Sequence, residues 1–453
     1  MDTDIKKLIA KELRARLRGK VISPIDNEYN SARKIWNCMI DKYPVAIAYC
    51  AGVADVINTV NFARAENFLV AIRSGGHNVA GNAVCDDGIV LDLSRMKGIY
   101  VNPDQHTVRV QAGVTIGEFD HETQFFGLAT TGGASSTTGI AGFTLGGGLG
   151  WLMGKYGLSC DNLLSADVVT ADGHFLKASA TENEDLFWGL KGGGGNFGIA
   201  TSFEFQLHPV KTVIGGTIIY PFKVARDFLR FYRDFLSTAP DELMTLATLY
   251  TAPDGTHLVG IVVCYCDSLE KGEKVLKPLK DFGLPVADLI QPMPYLKLQG
   301  MWDDMASFGR QHYWKANCMQ KLNDDIIDII IEGFRATPSP LSSVNVEYLH
   351  GVACRIDPSA TAFVLREEHY TINIISTWLN SKDTEKNIQW NHELSEAVKP
   401  FSNGKVYINY LGNEGEERVK DAYKSNYEKL VLLKKKYDPT NFFRVNQNIR
   451  PTT

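Results

Sequence analysis

The pattern of apolar and polar positions changes character near His208-Pro209. Before that point, short apolar runs alternate with glycine-rich gaps. In GVADVINTVNFARAENF, Val56, Ile57 and Val60 recur at helical spacing with Asp55 available as a cap, which predicts a helix. LVAIRS and GIVLDLS read as buried strands. IYVNPDQHTVRVQAG and LLSADVVTADGHFLKASA each hold two alternating runs around a turn, Pro-Asp in the first and Asp172-Gly173 in the second, and predict hairpins. Thr115 and Glu118 form a T-x-x-E capping box that opens a helix through Phe126. NEDLFWGL reads as a short helix. In GIATSFEFQL, Thr201, Phe203, Phe205 and Leu207 alternate with Ser202, Glu204 and Gln206, the period of a strand.

From about 212 to 400 glycine thins out and a coarse β-α-β-β order occurs twice. The first copy has strands near 213–221 and 241–266 and helices near 224–237 and 268–282. The second has strands near 312–319 and 342–378 and helices near 323–335 and 382–399. The copies share no sequence identity, so a repeat is only suggested by the order. GKVYINYLGN then predicts a strand, with Ile408 and Tyr410 on one face and Tyr407 and Asn409 on the other. EERVKDAYKSNYEKLVLLKKKY predicts one amphipathic helix ended by Asp438-Pro439, its lysines on the solvated face. The expected architecture is α+β: a glycine-rich domain over 1–211, a second domain over 212–400 with a mixed, largely antiparallel sheet backed by helices, and a C-terminal segment 401–453 that the pattern alone assigns to either domain.

Composition narrows the setting. The 453 residues carry a net charge of −5, which offers no basic footprint for nucleic acid or an anionic membrane. No window approaches the ~18 apolar residues of a membrane span. The N-terminus is charged without a signal-type apolar core. Eight scattered cysteines with no C-x-x-C indicate a reducing, cytoplasmic setting.

Chemistry concentrates in three glycine-dense segments, Arg73 to Gly81, Gly132 to Gly150 and Gly189 to Gly198, each lying between elements. Backbone N–H groups in such turns bind anions, phosphates above all. Three of them in one domain imply a long ligand with its polyphosphate against main chain. Standard signatures fail. GGGLGWLMGKYG mis-spaces the glycine-lysine pair of a P-loop and puts Tyr156 where Ser or Thr is needed, and no βαβ unit with a ribose-binding acid follows Gly148, Gly150 and Gly154. No histidine or cysteine cluster suggests a metal, and no G-x-S-x-G is present.

RSGGHNVAG, GIAGFTLGGGLGWLMGKYGLSCDNL, GGGGNFGIAT and NYEKLVLLKKKYDPTNFFRVNQNI stand in this order along the chain. The chain thereby resembles the berberine-bridge-enzyme-like FAD-linked oxidases of the vanillyl-alcohol-oxidase (PCMH-type) superfamily, its first half looking like that of bacterial members of the 6-hydroxy-D-nicotine oxidase type. The resemblance extends from about residue 30 to the end. It implies a PCMH-type FAD domain from about 42 to 211 and a substrate domain whose sheet lies over the flavin ring.

The resemblance also implies roles for residues. His77 is the histidine that bonds the flavin 8α-methyl carbon. Ser135 stands where bicovalent relatives have cysteine, so a single covalent link is expected. Arg73, Ser74, Gly75, Gly76, Asn78 and Gly81 would meet the pyrophosphate. Gly139, Gly142, Gly146, Gly147 and Gly148 would lie along the cofactor with Asn162 nearby, and Gly198 and Ile199 would approach the adenosine. Asn446 and Asn448 would bring the tail against the flavin, and Tyr407 would contact it. Tyr410 matches the tyrosine that serves relatives as base. Thr138, just before Gly139, holds the position linked to oxygen access. The implied activity is hydride transfer to flavin N5 from a small molecule with a C–H bearing OH or NH (a sugar, alcohol, amine or heterocycle), with O2 as acceptor giving H2O2. A dehydrogenase of the same fold with another acceptor is the alternative, a non-catalytic flavin carrier a rival, and a nucleotide-dependent kinase or ligase a distant third. Trp302, Tyr313, Tyr348 and Trp378 are candidates for a pocket wall. Substrate identity and oligomeric state stay open.

Overall fold

Three main sheets, with a further two-stranded pairing of Leu128–Ala129 and His208–Pro209, order the chain, which the computed structural model describes over residues 3–452, with side chains from Lys6 onward. The first sheet runs Val21–Ile22, Ala46–Tyr49, Ile89–Asp92, Val70–Arg73, with its last three strands parallel. The second is antiparallel, in the order Ile99–Asn102, Thr107–Gln111, Ile199–Gln206, Leu163–Val169, Phe175–Ser179. Both expected hairpins are present in it, and Gly173 takes the left-handed φ of +82° that the Asp172-Gly173 turn requires. The Thr115–Glu118 capping box opens the helix Ile116–Phe125. Asp55 acts differently from a simple helix cap. Its buried carboxylate accepts from the backbone nitrogens of Arg18, Gly19 and Ala51, tying the first helix, Thr3–Arg16, to the helix Val53–Ala65.

The third sheet carries the site. Its main strands run Thr212–Pro221, His257–Tyr265, Leu243–Thr251, Ser343–Leu349, His369–Trp378, Gln311–Met319, and every pairing in it is antiparallel rather than mixed. The two β-α-β-β copies therefore meet back to back at the central Leu243–Thr251/Ser343–Leu349 pair, and the suggested repeat is a repeat of topology. Period-two alternation assigns the faces. Val344, Val346, Ile372 and Ile374 point into a core filled by Phe228, Ile327, Ile330 and Leu394 of the backing helices. Ser343, Asn345, Glu347, Asn373, Ile375 and Thr377 turn the other way, toward the glycine-rich half.

The tail departs from expectation twice. Residues 406–412 form no strand. A 3-10 turn closes over Ile408–Tyr410 with Tyr410 N donating to Tyr407 O at 2.9 Å. Residues three apart in such a turn eclipse, so Tyr407 and Tyr410 stand on one side, ring centroids 4.9 Å apart. The C-terminal helix is also two, Glu416–Tyr423 and Tyr427–Tyr437, broken where Lys424 takes φ +41°. The break lets Asn426 donate to the carbonyls of Pro358 and Thr361.

Nor are the lysines of LLKKKY all solvated. Lys434 is fully buried, its ammonium donating to Asp438 at 2.6 Å and to the carbonyls of Asn196 and Phe443 at 2.8 Å each. Asp438 also accepts from the nitrogens of Phe442 and Phe443, so this pair fixes the tail against the third glycine segment. Removing one partner of a buried pair strands the other charge, at a cost of about 3–5 kcal/mol. Asp438→Ala should thus lower Tm by many degrees in thermal denaturation, while Lys436→Ala, on the exposed pair with Asp185, should barely move it. Equal losses would contradict the assignment.

Candidate active site

The strand Val70–Arg73 ends in a buried ion pair between Arg73 and Asp92 of the neighbouring strand. Ser74 Oγ then donates to the Ala112 carbonyl at 2.6 Å. Gly75 passes so near the second glycine segment that a Cβ on it would lie 2.3 Å from the Gly139 nitrogen. Gly76 follows at φ +70°, a conformation open to glycine, and this turn presents His77. One imidazole face stacks on Trp36 (centroids 5.0 Å, 18°), the edge of Phe308 meets it at 5.7 Å, and Nε2 shares a 2.6 Å hydrogen bond with Thr137 Oγ1. Burial lowers the imidazole pKa to about 4, so His77 is neutral near pH 7.

These turns form one side of a cavity of about 510 Å³ whose other side is the polar face of the third sheet. Of the residues singled out from the sequence, Ser74, Gly75, Gly76, His77, Asn78, Gly139, Gly142, Gly198, Ile199, Tyr407, Tyr410 and Asn446 line it, as do Ser135, Thr138 and Trp302. Arg73, Gly81, Gly146, Gly147, Gly148, Asn162 and Asn448 are not on its wall, and physical reasons are visible for most. Arg73 is neutralised by Asp92. Side chains of Ile40, Asn409 and Phe363 fill the space a Cβ would take at Gly81, Gly146 and Gly147. Gly148 N donates to Tyr407 Oη at 3.0 Å, and Asn162 is spent on the Tyr156 and Leu158 carbonyls and on His208. These positions shape the wall from behind. Tyr313, Tyr348 and Trp378 also lie off it; Tyr348 bonds Glu368 and Trp378 bonds Thr384.

At the sheet end, Tyr410 Oη donates to Glu347 at 2.9 Å to Oε1 and 3.2 Å to Oε2. Burial raises the Glu347 carboxyl to about 7, and burial together with the adjacent carboxylate pushes the Tyr410 phenol well above its usual value. Glu347 escaped the sequence reading. Its signal was a carboxylate in phase with Ser343 and Asn345 on a strand whose other face is core. Trp36 and His312 escaped as well. Their rings stack at 3.7 Å, and Asn37 beside them exchanges hydrogen bonds with His312 N and O, pinning the N-terminal segment to the sheet.

Buried polar atoms on the cavity wall lack a protein partner among the described residues, including Asn78 Oδ1, Trp302 Nε1, His312 Nε2, Trp314 Nε1, Asn373 Oδ1 and Asn446 Oδ1. Such atoms are costly unless a ligand or water meets them. Cβ positions at Gly142 and Gly195 meet nothing within 4 Å, so both glycines leave room inside the cavity. The wall therefore suits a long ligand with many hydrogen-bonding groups.

Comparison with known proteins agrees with this shape. Residues 44–179 match the FAD binding domain family, and residues 406–450 match the berberine and berberine-like family. The chain is 32% identical to an FAD-linked oxidoreductase of Dictyostelium discoideum over 448 residues, 98% of this chain and 97% of that one. The chain belongs to the berberine-bridge-enzyme-like FAD-linked oxidoreductases. Within this family it is 30% identical to (R)-6-hydroxynicotine oxidase of Paenarthrobacter nicotinovorans, over 96% of this chain and 97% of that one. The crystal structure of 6-hydroxy-D-nicotine oxidase from Arthrobacter nicotinovorans superposes with a TM-score of 0.88 at 28% identity, covering 96% and 98% of the two chains. The fold is shared as well by a Physcomitrella patens BBE-like protein, at a TM-score of 0.87 and 23% identity over 98% and 99%.

FAD, the cofactor of this family, fits the donor set. Glycine turns without cations suit a pyrophosphate held by main chain, and the orphaned amides and indoles suit its ring and ribityl edges. Gly142 tests the fit. In the helix Ile140–Leu145 an alanine should stabilise the protein without ligand by about 0.5–1 kcal/mol, yet its methyl would enter the cavity. Gly142→Ala should fold with unchanged or raised Tm and purify with sharply less flavin per chain by absorbance. Full flavin content would show that the cofactor lies elsewhere.

Proposed function

We propose that this FAD-linked oxidoreductase is an oxidase acting on a small molecule with a C–H bearing OH or NH, with O2 as electron acceptor and H2O2 as product. The glycine-rich part (1–211) and the tail (401–453) would hold FAD, and the part 212–400 would hold the substrate against its sheet. Bound FAD would supply the hydride acceptor. His77 would be its single covalent anchor, since Ser135 cannot form a thioether. Thr138 on the wall beside Gly139, small and β-branched, supports the oxidase over a dehydrogenase. The eight free cysteines, six of them buried, support a reducing, cytoplasmic setting.

The observation that carries the reading is the Tyr410–Glu347 hydrogen bond in the wall. A phenol raised far above neutrality is a poor base alone. With a carboxylate accepting its proton, Tyr410 Oη takes the substrate proton as its own passes to Glu347, so no free phenolate forms. The family resemblance implies Tyr410 alone as base; the Tyr410–Glu347 contact supports giving the proton to the pair. Among the described residues no Lys, Arg or Asp side chain lines the cavity, whose wall includes Trp302, Trp314, Asn345 and Asn373. A neutral or cationic substrate is therefore favoured over a carboxylate or phosphate ester.

Glu347 accepts a proton only as carboxylate, so flavin reduction should slow as pH falls through about 7. A panel of sugars, alcohols and amines, mixed anaerobically with the holoenzyme, identifies the member that bleaches the flavin. With that substrate, Tyr410→Phe and Glu347→Gln should slow bleaching by about 10²–10⁴, and Glu347→Gln should remove the limb near pH 7. Unchanged rates would remove the pair from the reaction. Aerobic turnover without peroxide would favour the dehydrogenase.

A further inference from the structure

The hydrogen bond to His77 continues beyond its partner. Thr137 Oγ1, 2.6 Å from His77 Nε2, lies 3.3 Å from Ser135 Oγ. Both hydroxyls sit on one turn, closed by Thr138 N donating to Ser135 O at 3.2 Å. That turn is held by main chain: Ile116 N donates to Thr138 O at 2.8 Å, Gly117 N to Ser136 O at 2.9 Å, and Ser136 N to the Asp303 carboxylate at 2.8 Å. The Thr137 hydroxyl is therefore not needed to build the turn. With Trp36 on the ring face and Phe308 at its edge, the hydroxyl sets how the imidazole is presented.

We propose that Thr137, backed by Ser135, is a positioning residue that holds His77 in its Nε2–H tautomer, leaving the Nδ1 lone pair to attack FAD. This rests on the reading of His77 as the covalent anchor. A neutral imidazole carries one proton, and only the nitrogen without it is a nucleophile. If Thr137 donated to Nε2, the proton would sit on Nδ1 and both nitrogens would be blocked. With Nε2–H donating to Thr137 Oγ1 and that hydroxyl donating on to Ser135 Oγ, Nδ1 is free. Attachment joins Nδ1 to the flavin 8α-methyl carbon, which loses one hydrogen. The Nε2 proton leaves through Thr137 and Ser135. The two hydrogens are balanced by two-electron reduction of the flavin ring, and O2, reduced to H2O2, returns it to the oxidised form. The position that in bicovalent relatives carries a second link would here assist the only one.

Thr137→Val keeps the shape and removes the hydroxyl; Thr137→Ser keeps the hydroxyl. Holoprotein is purified at successive times after the start of expression and assayed for flavin fluorescence that survives denaturing electrophoresis. Total flavin before denaturation reports non-covalent binding. Thr137→Val should bind FAD but attach it at least about tenfold more slowly, Ser135→Ala should slow attachment less, and Thr137→Ser should match wild type. The flavin-bearing peptide from wild type should be linked through Nδ1. Wild-type rates in both Thr137→Val and Ser135→Ala, or an Nε2 linkage, would overturn the proposal while leaving the covalent reading intact. Release of all flavin from denatured wild type would instead overturn the covalent reading.

Discussion

The contact between the Gly75 and Gly139 turns is the constraint on which the site depends. Two backbones meet where neither tolerates a side chain, since a Cβ at either would come within 2.3 Å of the other's main chain. Each turn is anchored from behind, the first by the buried Arg73–Asp92 pair and the second by backbone bonds to Val114 and Ile116. Because they touch, His77 at the end of one faces Thr137 at the end of the other. Separating them by a methyl group would move the imidazole, its hydroxyl partner and this part of the cavity wall together.

The far wall is positioned by different means. A sheet built from two topological copies presents its polar face to the cavity, while core residues lock the other face to four helices. Strand register then fixes chemistry: Asn345 stands opposite Asn373, and Glu347 is the next residue in phase. The tail completes the enclosure through side chains rather than through a ladder. Tyr407 Oη accepts from Gly148 N, Asn446 Nδ2 donates to Gly195 O, and Lys434 donates to Asn196 O. The cavity is therefore lined by glycine turns with main-chain donors and by an acid–phenol pair where the sheet meets the tail.

Much of this was legible in the sequence. Strands with strict alternation and turns with obligatory residues, such as the hairpin at Asp172-Gly173 and the Thr115 capping box, are local, and local signals survive folding. Glycine density marked the three turns. Less legible was which glycines face a ligand and which merely admit a protein side chain: Gly142 opens on the cavity, while Gly146 and Gly147 make room for Asn409 and Phe363. Strand alternation misplaced Tyr407 relative to Tyr410 because a 3-10 turn replaces the strand. Lys434 looked like any surface lysine because its partners, Asp438 apart, are distant carbonyls. Glu347, Trp36 and His312 matter through contacts between segments far apart in the chain, and nothing in their neighbours announces those contacts.

On the proposed reading, the Gly75–Gly139 clamp would present His77 to FAD as its sole covalent anchor. Intact-mass measurement of acid-denatured protein tests this most directly. Wild type should carry the mass of one FAD per chain, and His77→Ala should carry none while still purifying yellow before denaturation. An attached FAD in His77→Ala, or bare polypeptide from wild type, would contradict it.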